Sequence, residues 1–452
     1  MLTQLSVDNF KSWKEISAMR LAPITGLFGT NSSGKTSILQ LLLMLKQTIE
    51  SSDRAQVLEF GDEKSLTNLG SFRDVVYQHE KTASIDFSLN WNLPKPLAIK
   101  DPETKTNTLL TTDRLGFRCT LGENGSDRLT VLRLEYDVNE NRFVLKRKGQ
   151  SGTKYELLNE NEGIRFRRTQ GRVWDLPSPI KFYGFPDQTY AYYQNAGFLA
   201  DLQLEFERLF DRLYYLGPLR EFPQRHYGWK GSEPADMGRR GERVVDALLA
   251  SRQRGAYISP GKKKKKQTLE ERVAFWLKEL GLIYDFKVSL IAEGNNLYEV
   301  RVQKAAASAD VLITDVGFGV SQVLPVLVLC YYVPQGSIIL LEQPEIHLHP
   351  SVQSGLADVF IDVMQNRDVQ IVVESHSEHL LRRLQRRVAD ETIGPKETAL
   401  YFCEMSSTGS SLTTLNVDLF GNIKNWPKDF FGDELGEMAA ITKAAMVRRQ
   451  AQ

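Results

Sequence analysis

A phosphate-binding loop near the start of the chain constrains its fold and chemistry more than any other feature. Residues 29–36 read G-T-N-S-S-G-K-T and match every fixed position of the P-loop motif G-x-x-x-x-G-K-[ST]. Residues 24–28 predict a short apolar strand before the loop, and residues 37–45 predict an apolar helix after it. In this setting backbone N–H groups wrap a triphosphate, the Lys35 amine reaches its β- and γ-phosphates, and the Thr36 hydroxyl binds Mg²⁺. The sequence therefore predicts a nucleotide site with these contacts: Asn31, Ser32, Ser33, Gly34, Lys35, Thr36 and Ser37.

Composition narrows the class of protein without naming a function. The chain has 452 residues, of which 42% are hydrophobic, enough for two or three packed lobes. Its 57 lysines and arginines nearly cancel its 56 aspartates and glutamates, so bulk charge gives no case for a nucleic-acid coat. The cysteines are too scattered for a metal cage or a disulfide framework. The longest apolar stretch is too short to cross a bilayer, and no signal-peptide core precedes the first strand. We therefore expect a soluble, cytoplasmic protein without a membrane partner.

A second informative block lies about 300 residues after the P-loop. Residues 337–341 predict a buried strand that ends at Glu342, followed by Q-P-E-I-H-L-H-P. An acidic residue at the end of such a strand, beside a P-loop, can hold the Mg²⁺ that bridges two phosphates. Glu342 is therefore predicted to be a metal ligand together with Thr36. Pro350 is predicted to begin the next helix, because proline is favoured in the first helical turn.

Two further segments have patterns that suit phosphate contacts. Residues 368–373 predict a strand that runs into E-S-H-S, where His376 could reach a γ-phosphate or could simply be a hydrogen-bonded loop histidine. Residues 315–325 read D-V-G-F-G-V-S-Q-V-L-P and predict a helix whose free N–H groups would attract an anion. Ser321 and Gln322 stand at that helix start, which could instead be a simple turn and cap.

Taken in chain order, these motifs resemble the ABC-type ATPases related to SMC, RecF and the OLD proteins, as does the opening L-S-V-D-N-F-K-S-W of residues 5–13. Within that group the chain is most similar to ATPases that carry a DUF3696 domain, through residues 215–221, 316–325, 341–350 and 425–431. The resemblance implies ATP and Mg²⁺ as ligands and a head-to-tail dimer as the minimum unit, with larger even-numbered assemblies possible. Each ATP would lie between one protomer's P-loop and its partner's signature, formed by Gly319, Ser321 and Gln322. His376 would be the switch histidine.

One position departs from the pattern of that family. ABC-type ATPases usually end the strand before the E-I-H-L-H-P segment with Asp and then Glu, whereas this chain has Glu342 and Gln343. Glutamine can orient water but cannot take its proton, so general-base help of roughly 10²–10⁴ in rate would be missing. Either Glu345 substitutes as the base, or hydrolysis is slow and ATP acts mainly as a clamp. We therefore expect slow turnover and assign Glu342, Gln343, Glu345 and His376 to the reaction.

The pattern of elements predicts an α/β fold whose ABC-type P-loop core is assembled from both chain ends. Residues 1–58 would carry the P-loop, and residues 299–452 the signature, Glu342, His376 and the DUF3696-like end. Residues 59–298 would form an inserted lobe of antiparallel strands and helical segments, because short alternating segments there are separated by turn residues. Within it, Tyr215-Leu-Gly-Pro-Leu-Arg-Glu221 is expected to end a strand with Arg220 exposed, as a phosphate or interface sensor or as a structural turn.

A run of lysines is the one candidate handle for nucleic acid. Five of them precede a helix with a capping box, and they form either a contact for a phosphate backbone or a solvated loop: Lys262, Lys263, Lys264, Lys265 and Lys266. The stretch after His376 is too short for the metal-binding nuclease domain that OLD nucleases carry there. If DNA is cut, we expect a partner to cut it.

Three functions compete at this point. The first is a regulatory ATPase of an anti-phage defence system, resembling the ATPase subunit of Septu systems, which works with a separate HNH nuclease. The second is a RecF- or SMC-like DNA-repair clamp that closes on DNA with ATP. The third is a transporter ATPase, which the large β lobe and the missing L-S-G-G-Q string disfavour. The motifs favour the first function.

Overall fold

The computed structural model describes residues 1–80, 82–100, 108–123, 128–149, 153–161, 164–171, 174–427, 430 and 434–450. The strands, in chain order, are β1 Leu2–Phe10, β2 Trp13–Arg20, β3 Ile24–Gly29, β4 Ile85–Lys100, β5 Thr108–Glu123, β6 Leu129–Val138, β7 Asn141–Arg147, β8 Tyr155–Asn159, β9 Leu213–Leu216, β10 Tyr227–Gly228, β11 Asp285–Leu290, β12 Leu297–Gln303, β13 Asp310–Leu312, β14 Ile338–Glu342, β15 Gln370–Glu374, β16 Thr398–Ser406 and β17 Gly409–Thr414.

The helices surround two large sheets and differ widely in length. In chain order they are α1 Lys35–Glu50, α2 Phe72–Val75, α3 Gln188–Tyr192, α4 Leu199–Asp211, α5 Val244–Arg254, α6 Leu269–Glu279, α7 Phe318–Tyr332, α8 Pro350–Arg367, α9 Glu378–Ala389 and α10 Glu434–Gln450. None of the described helices is long and apolar enough to cross a membrane.

The core sheet has six strands in the order β17-β16-β3-β15-β14-β9. All neighbours are parallel except β16 and β17, which form an antiparallel hairpin at one edge. Every residue of β3, β14 and β15 is buried, as expected for parallel strands with both faces covered. The predicted α/β fold with a P-loop core drawn from both chain ends is confirmed. One strand, β9, joins this core from the middle of the chain.

A second, seven-stranded sheet is antiparallel and has the order β2-β1-β4-β5-β6-β7-β8. Alternate residues of β4 point into an aromatic core, where the rings of Phe117 and Phe206 lie 4.5 Å apart. This is the predicted antiparallel lobe, and the first two strands of the chain belong to it because β1 pairs with β4. The predicted domain bounds at residues 58 and 298 stay a prediction. In the structure β1, before residue 58, pairs with β4, after it, and β12 spans residue 298.

Helices α5 to α8 pack on a small sheet of β10, β12, β11 and β13 and on one face of the core sheet. The predicted capping box of α6 is present, because Thr268 accepts from the N–H of Glu271 and Glu271 accepts from the N–H of Thr268. Helix α8 begins at Pro350, as predicted, and buries an apolar face that includes Val352, Leu356 and Val359.

The C-terminal segment packs directly beneath the P-loop strand. The ring of Phe430 lies 6.4 Å from that of Phe28 in β3 and 4.6 Å from that of Phe402 in β16. These edge-to-face contacts link the DUF3696-like end to the core sheet. In the 425–431 segment that carried part of the family resemblance, residues 428, 429 and 431 lie outside the described residues.

Candidate nucleotide-binding site

The P-loop connects β3 to α1. At two of its positions the backbone has a conformation that only glycine adopts easily. Gly29 and Gly34 have φ of 136° and 87°, in the region where other residues are strained. A Cβ on Gly29 would lie 2.0 Å from the carbonyl oxygen of Cys403 in β16. Because α1 begins at Lys35, its free N–H groups point towards the loop and form an anion site. The predicted strand–loop–helix unit is therefore present.

Two hairpins hold this loop from outside. The indole nitrogen of Trp13 donates to the carbonyl oxygen of Gly34 at 2.9 Å, and Ser410 donates to the hydroxyl of Ser12 at 2.7 Å. A Cβ on Gly34 would lie within 2.8 Å of all three side chains. The turn after β1 and the start of β17 thus fix the loop, which leaves little freedom for it to change shape.

The side chain of Lys35 is buried and lies over its own loop. Its amine donates to the carbonyl oxygens of Gly29 at 3.1 Å and Thr30 at 2.6 Å. Burial lowers the pKa of Lys35, and the nearby Glu374 carboxylate opposes this change. A phosphate would replace these carbonyl contacts with bonds in which the donor and the acceptor are both charged.

The other predicted loop contacts vary in exposure. Asn31 and Ser32 are exposed, Ser33 is buried, and Ser37 is half-buried with its N–H bonded to the carbonyl oxygen of Gly34 at 3.1 Å.

Thr36 contacts a glutamate that the sequence analysis did not assign to the site. Its hydroxyl donates to Oε1 of Glu374 at 3.0 Å, and Glu374 is only 2% exposed. Glu374 ends β15, which lies between β3 and β14, and it is in register with Glu342 at the end of β14. The signal was present in the sequence, since Glu374 ends an apolar strand just as Glu342 does. The prediction for this segment rested on His376, two residues later.

Glu342 lies on the far side of Glu374 from the P-loop strand and is also buried. The hydroxyl of Tyr215 donates to its Oε1 at 3.0 Å. Burial, with the neighbouring charge of Glu374, raises the pKa of Glu342 to about 7.

Arg220 corrects one expectation from the sequence. It was predicted to be exposed, but it is only 6% exposed, and its Nε and Nη1 have no hydrogen-bond partner among the described residues. Burial lowers the pKa of Arg220 to about 10, with the charges of Tyr215, Glu342 and Glu345 opposing. The turn 217–220 folds the arginine back beneath the strand ends, where those carboxylates attract it. Local sequence could not show this, because the attracting carboxylates are more than 100 residues away.

Gln343, Glu345 and His376 lie in the segments that follow the ends of β14 and β15. The N–H of Gln343 donates to the carbonyl oxygen of Glu374 at 2.8 Å, and its φ of 42° turns the chain sharply. Glu345 accepts from the N–H of His376 at 2.6 Å, and its second carboxylate oxygen has no partner among the described residues. Burial and the charge of Lys35 lower the pKa of His376, and a hydrogen bond with the backbone of Gly29 opposes this change. The structure therefore brings these three residues to the same edge of the sheet.

The predicted signature lies at the start of α7 and has different neighbours from the P-loop. Gly319 faces Leu282 and Leu348, and the exposed ring of Phe318 lies 6.1 Å from that of Phe222. Ser321 and Gln322 are buried in the first turn of the helix, where the Ser321 hydroxyl donates to the carbonyl oxygen of Phe318 at 2.8 Å.

The lysine run is on the surface. All of Lys262 to Lys266 are exposed and lie in the loop before α6.

The donor set fits a magnesium–triphosphate complex. A buried lysine, a helix start and a threonine hydroxyl face two strand-end carboxylates, and Oε2 of Glu374 has no partner among the described residues. Among the described residues, no group of three or more His, Cys, Asp or Glu side chains could hold a metal ion. Proteins usually hold Mg²⁺ through one or two carboxylates together with phosphate oxygens and water, and the two strand-end carboxylates match that pattern.

Two family models match this chain, and one of them covers the site. The family model described as an AAA ATPase domain matches residues 1–167 and 257–381, which is more than half of the chain. The chain belongs to this AAA ATPase family. A second model, described as a protein of unknown function (DUF3696), matches residues 393–441 of the AAA ATPase. The predicted resemblance to ATPases that carry a DUF3696 domain is thereby confirmed, and the regions matched by the ATPase model carry the P-loop, the start of α7, Glu342 and His376.

The similar solved structures include two SMC head domains. The SMC head domain from Thermotoga maritima is 11% identical, covers 92% of the AAA ATPase and 99% of its own chain, and has a TM-score of 0.43. A head domain with an extended coiled coil from Pyrococcus furiosus, bound to the C-terminal domain of ScpA, is 9% identical with 92% and 96% covered and a TM-score of 0.46. No curated protein matches the AAA ATPase. These values support no transfer of residue roles or partners.

Proposed function

We propose that this protein is a regulatory ATPase that binds MgATP at its P-loop, hydrolyses it slowly and dimerises head to tail around it. The observation that carries the proposal is the meeting of Lys35, Thr36, Glu374 and Glu342 at the C-terminal ends of adjacent strands. Ligands of open α/β sheets bind at this edge, because strand ends and helix starts converge there. A nucleoside triphosphate with bound Mg²⁺ matches the charges and hydrogen-bond donors of these four residues.

Each predicted residue has a defined task in the proposed reaction. Lys35 and the loop N–H groups hold the β- and γ-phosphates, while Thr36 and Glu342 hold the metal. Bound Mg²⁺ would neutralise charge that develops on the phosphates. Gln343 orients the attacking water, Glu345 accepts its proton and His376 contacts the γ-phosphate. The remaining residues of the loop complete the phosphate cradle: Asn31, Ser32, Ser33, Gly34 and Ser37.

The dimer is part of the proposal because the signature and the P-loop have separate surroundings within one chain. The loop contacts Ser12, Trp13 and Ser410, whereas the start of α7 faces Leu282 and Leu348. A second protomer, placed head to tail, would bring its own signature to the open side of the triphosphate, through Gly319, Ser321 and Gln322.

A complementation experiment tests this arrangement. Lys35→Ala removes the phosphate-binding amine, and Gly319→Asp places a negative charge where the partner's phosphates would lie. The added Cβ at Gly319 has room, since the nearest side-chain atom is 3.4 Å away. We expect neither variant alone to form an ATP-dependent dimer in light scattering. Their mixture should form one, because one of its two composite sites is intact.

Gly319→Ala is the matched control, since it adds the Cβ without the charge and should dimerise normally with ATP. If the mixture stays monomeric while Gly319→Ala dimerises, the two halves do not combine in trans and the head-to-tail dimer is wrong.

We propose further that the output passes to a partner nuclease of the HNH type in anti-phage defence, as the resemblance to Septu ATPases implies. Pull-down of the tagged protein, co-expressed with the products of its neighbouring genes, tests this in the wild type and in Lys35→Ala. We expect a nuclease to be retained, with a retained amount that depends on nucleotide. Retention of no nuclease in any nucleotide state would contradict the defence role and leave the ATPase proposal intact.

A DNA clamp is the second candidate, favoured by the five exposed lysines before α6. Their replacement by glutamine should reduce DNA affinity and flatten its dependence on salt, because each lost phosphate contact reduces the slope by about one. Fluorescence anisotropy with ATP present measures both quantities. Unchanged affinity and slope would exclude this loop as the DNA contact.

A further inference from the structure

We propose that Glu374 is a second carboxylate of the magnesium site and couples nucleotide binding to Mg²⁺. This inference rests on the proposed binding of MgATP at the P-loop and adds a residue to that site. Glu374 ends the strand between the P-loop strand and the Glu342 strand, so it lies at the centre of the strand ends.

The contact with Thr36 gives Glu374 its first role. A hydroxyl has one hydrogen to donate and two lone pairs to offer. The Thr36 hydrogen is directed to Oε1 of Glu374 at 3.0 Å, so the lone pairs remain available to a cation. Partners of this kind orient metal ligands, and their loss typically weakens metal binding about 10–100-fold.

The second oxygen gives Glu374 a further role. Oε2 is buried and has no hydrogen-bond partner among the described residues, and Glu374 as a whole is only 2% exposed. A buried carboxylate oxygen without a partner is costly. A hydrated Mg²⁺ beside Thr36 would supply the missing donors through its waters.

The charges around Glu374 make the site prefer ATP with bound Mg²⁺ over metal-free ATP. Glu374, Glu342 and Glu345 are all buried at this edge, and Lys35 and Arg220 are the cations that influence them. A triphosphate without metal would therefore meet buried negative charge and be repelled. With Mg²⁺ between them, the same carboxylates become favourable. Glu374 thus opposes metal-free ATP and favours MgATP.

Replacement of Glu374 by glutamine separates this role from a structural one. The new amide side chain keeps an oxygen that can accept from Thr36 but loses the charge. We expect Glu374→Gln to bind metal-free ATP more tightly and MgATP more weakly than the wild type. The preference for MgATP over metal-free ATP, measured as the ratio of the two affinities, should fall by about tenfold or more. A merely structural lesion would weaken both forms together and leave the ratio unchanged.

Calorimetry with ATP in EDTA and with ATP in excess Mg²⁺ gives both affinities for each variant. Glu404→Gln is the charge-matched control, since Glu404 is exposed on β16 and its replacement should leave the ratio unchanged. As a second readout, Mn²⁺ titrated into the ATP complex and followed by electron paramagnetic resonance should bind Glu374→Gln about tenfold more weakly.

The outcomes distinguish this inference from the proposed function. Wild-type protein that binds no ATP in either condition would overturn the proposed function, and this inference with it. Wild-type protein that binds MgATP, with an unchanged ratio and unchanged Mn²⁺ affinity in Glu374→Gln, would overturn the role of Glu374 alone.

Discussion

The indole nitrogen of Trp13 donates a hydrogen bond to the carbonyl oxygen of Gly34 at 2.9 Å and so joins the first hairpin of the chain to the P-loop. Gly34 immediately precedes Lys35, and its φ of 87° sets the direction in which α1 begins. The antiparallel sheet thereby fixes the geometry of a loop that belongs to the other sheet. We therefore expect the lobe to influence nucleotide affinity.

Trp13→Phe should weaken MgATP binding by about three- to tenfold, because it removes one hydrogen bond worth about 0.5–1.5 kcal/mol. Calorimetry measures this effect. Trp91→Phe is the matched control, since Trp91 is also buried and its indole nitrogen has no partner among the described residues. Equal losses of affinity in both variants would mean that the bond to Gly34 does not shape the loop.

Lys35→Ala should abolish ATP binding, because it removes the positive charge that faces the β- and γ-phosphates. Lys46→Ala provides the comparison: Lys46 is on the same helix and buried, but its amine donates to the carbonyl oxygen of Phe210 at 3.0 Å. That variant should keep its affinity while losing some thermal stability. Normal ATP affinity in Lys35→Ala would overturn the assignment of the P-loop.

Steady-state hydrolysis should be slow, well below the enzyme median of about 10 per second, because Gln343 cannot accept a proton. Glu345→Gln should reduce the rate further, by about 10²-fold or more, with little change in MgATP affinity. Phosphate release gives the rate and calorimetry gives the affinity. Fast turnover that survives Glu345→Gln would show that another base operates.

Arg220→Gln should weaken MgATP binding by about tenfold, since it removes a buried cation from beside Glu342 and Glu345 and leaves their charge uncompensated. Thermal stability of the nucleotide-free protein should also fall, because the substitution leaves buried carboxylates without a compensating cation. Arg240→Gln is the control, because Arg240 pairs with Glu221 at 3.5 Å. Equal affinities in the two variants would make the 217–220 turn purely structural.

Much of the core was predictable because its signals are local. The strand before the P-loop, the helix after it and the strand ending at Glu342 are each a short apolar run beside a recognisable motif. The pairing of β1 with β4 and the entry of β9 into the core sheet were not predictable. Both depend on contacts between residues far apart in sequence, which no local pattern records.

The sequence by itself determined the P-loop, the order of the motifs, the fold class and the family, because each depends on residue types at fixed spacing. The predicted roles of Glu342, Gln343, Glu345, His376 and the signature remain predictions. Only the tertiary structure decided that Arg220 is buried and that Glu374 accepts from Thr36. The reason is physical: burial and charge contacts arise where three parallel strands end together, and those strands come from opposite ends of the chain.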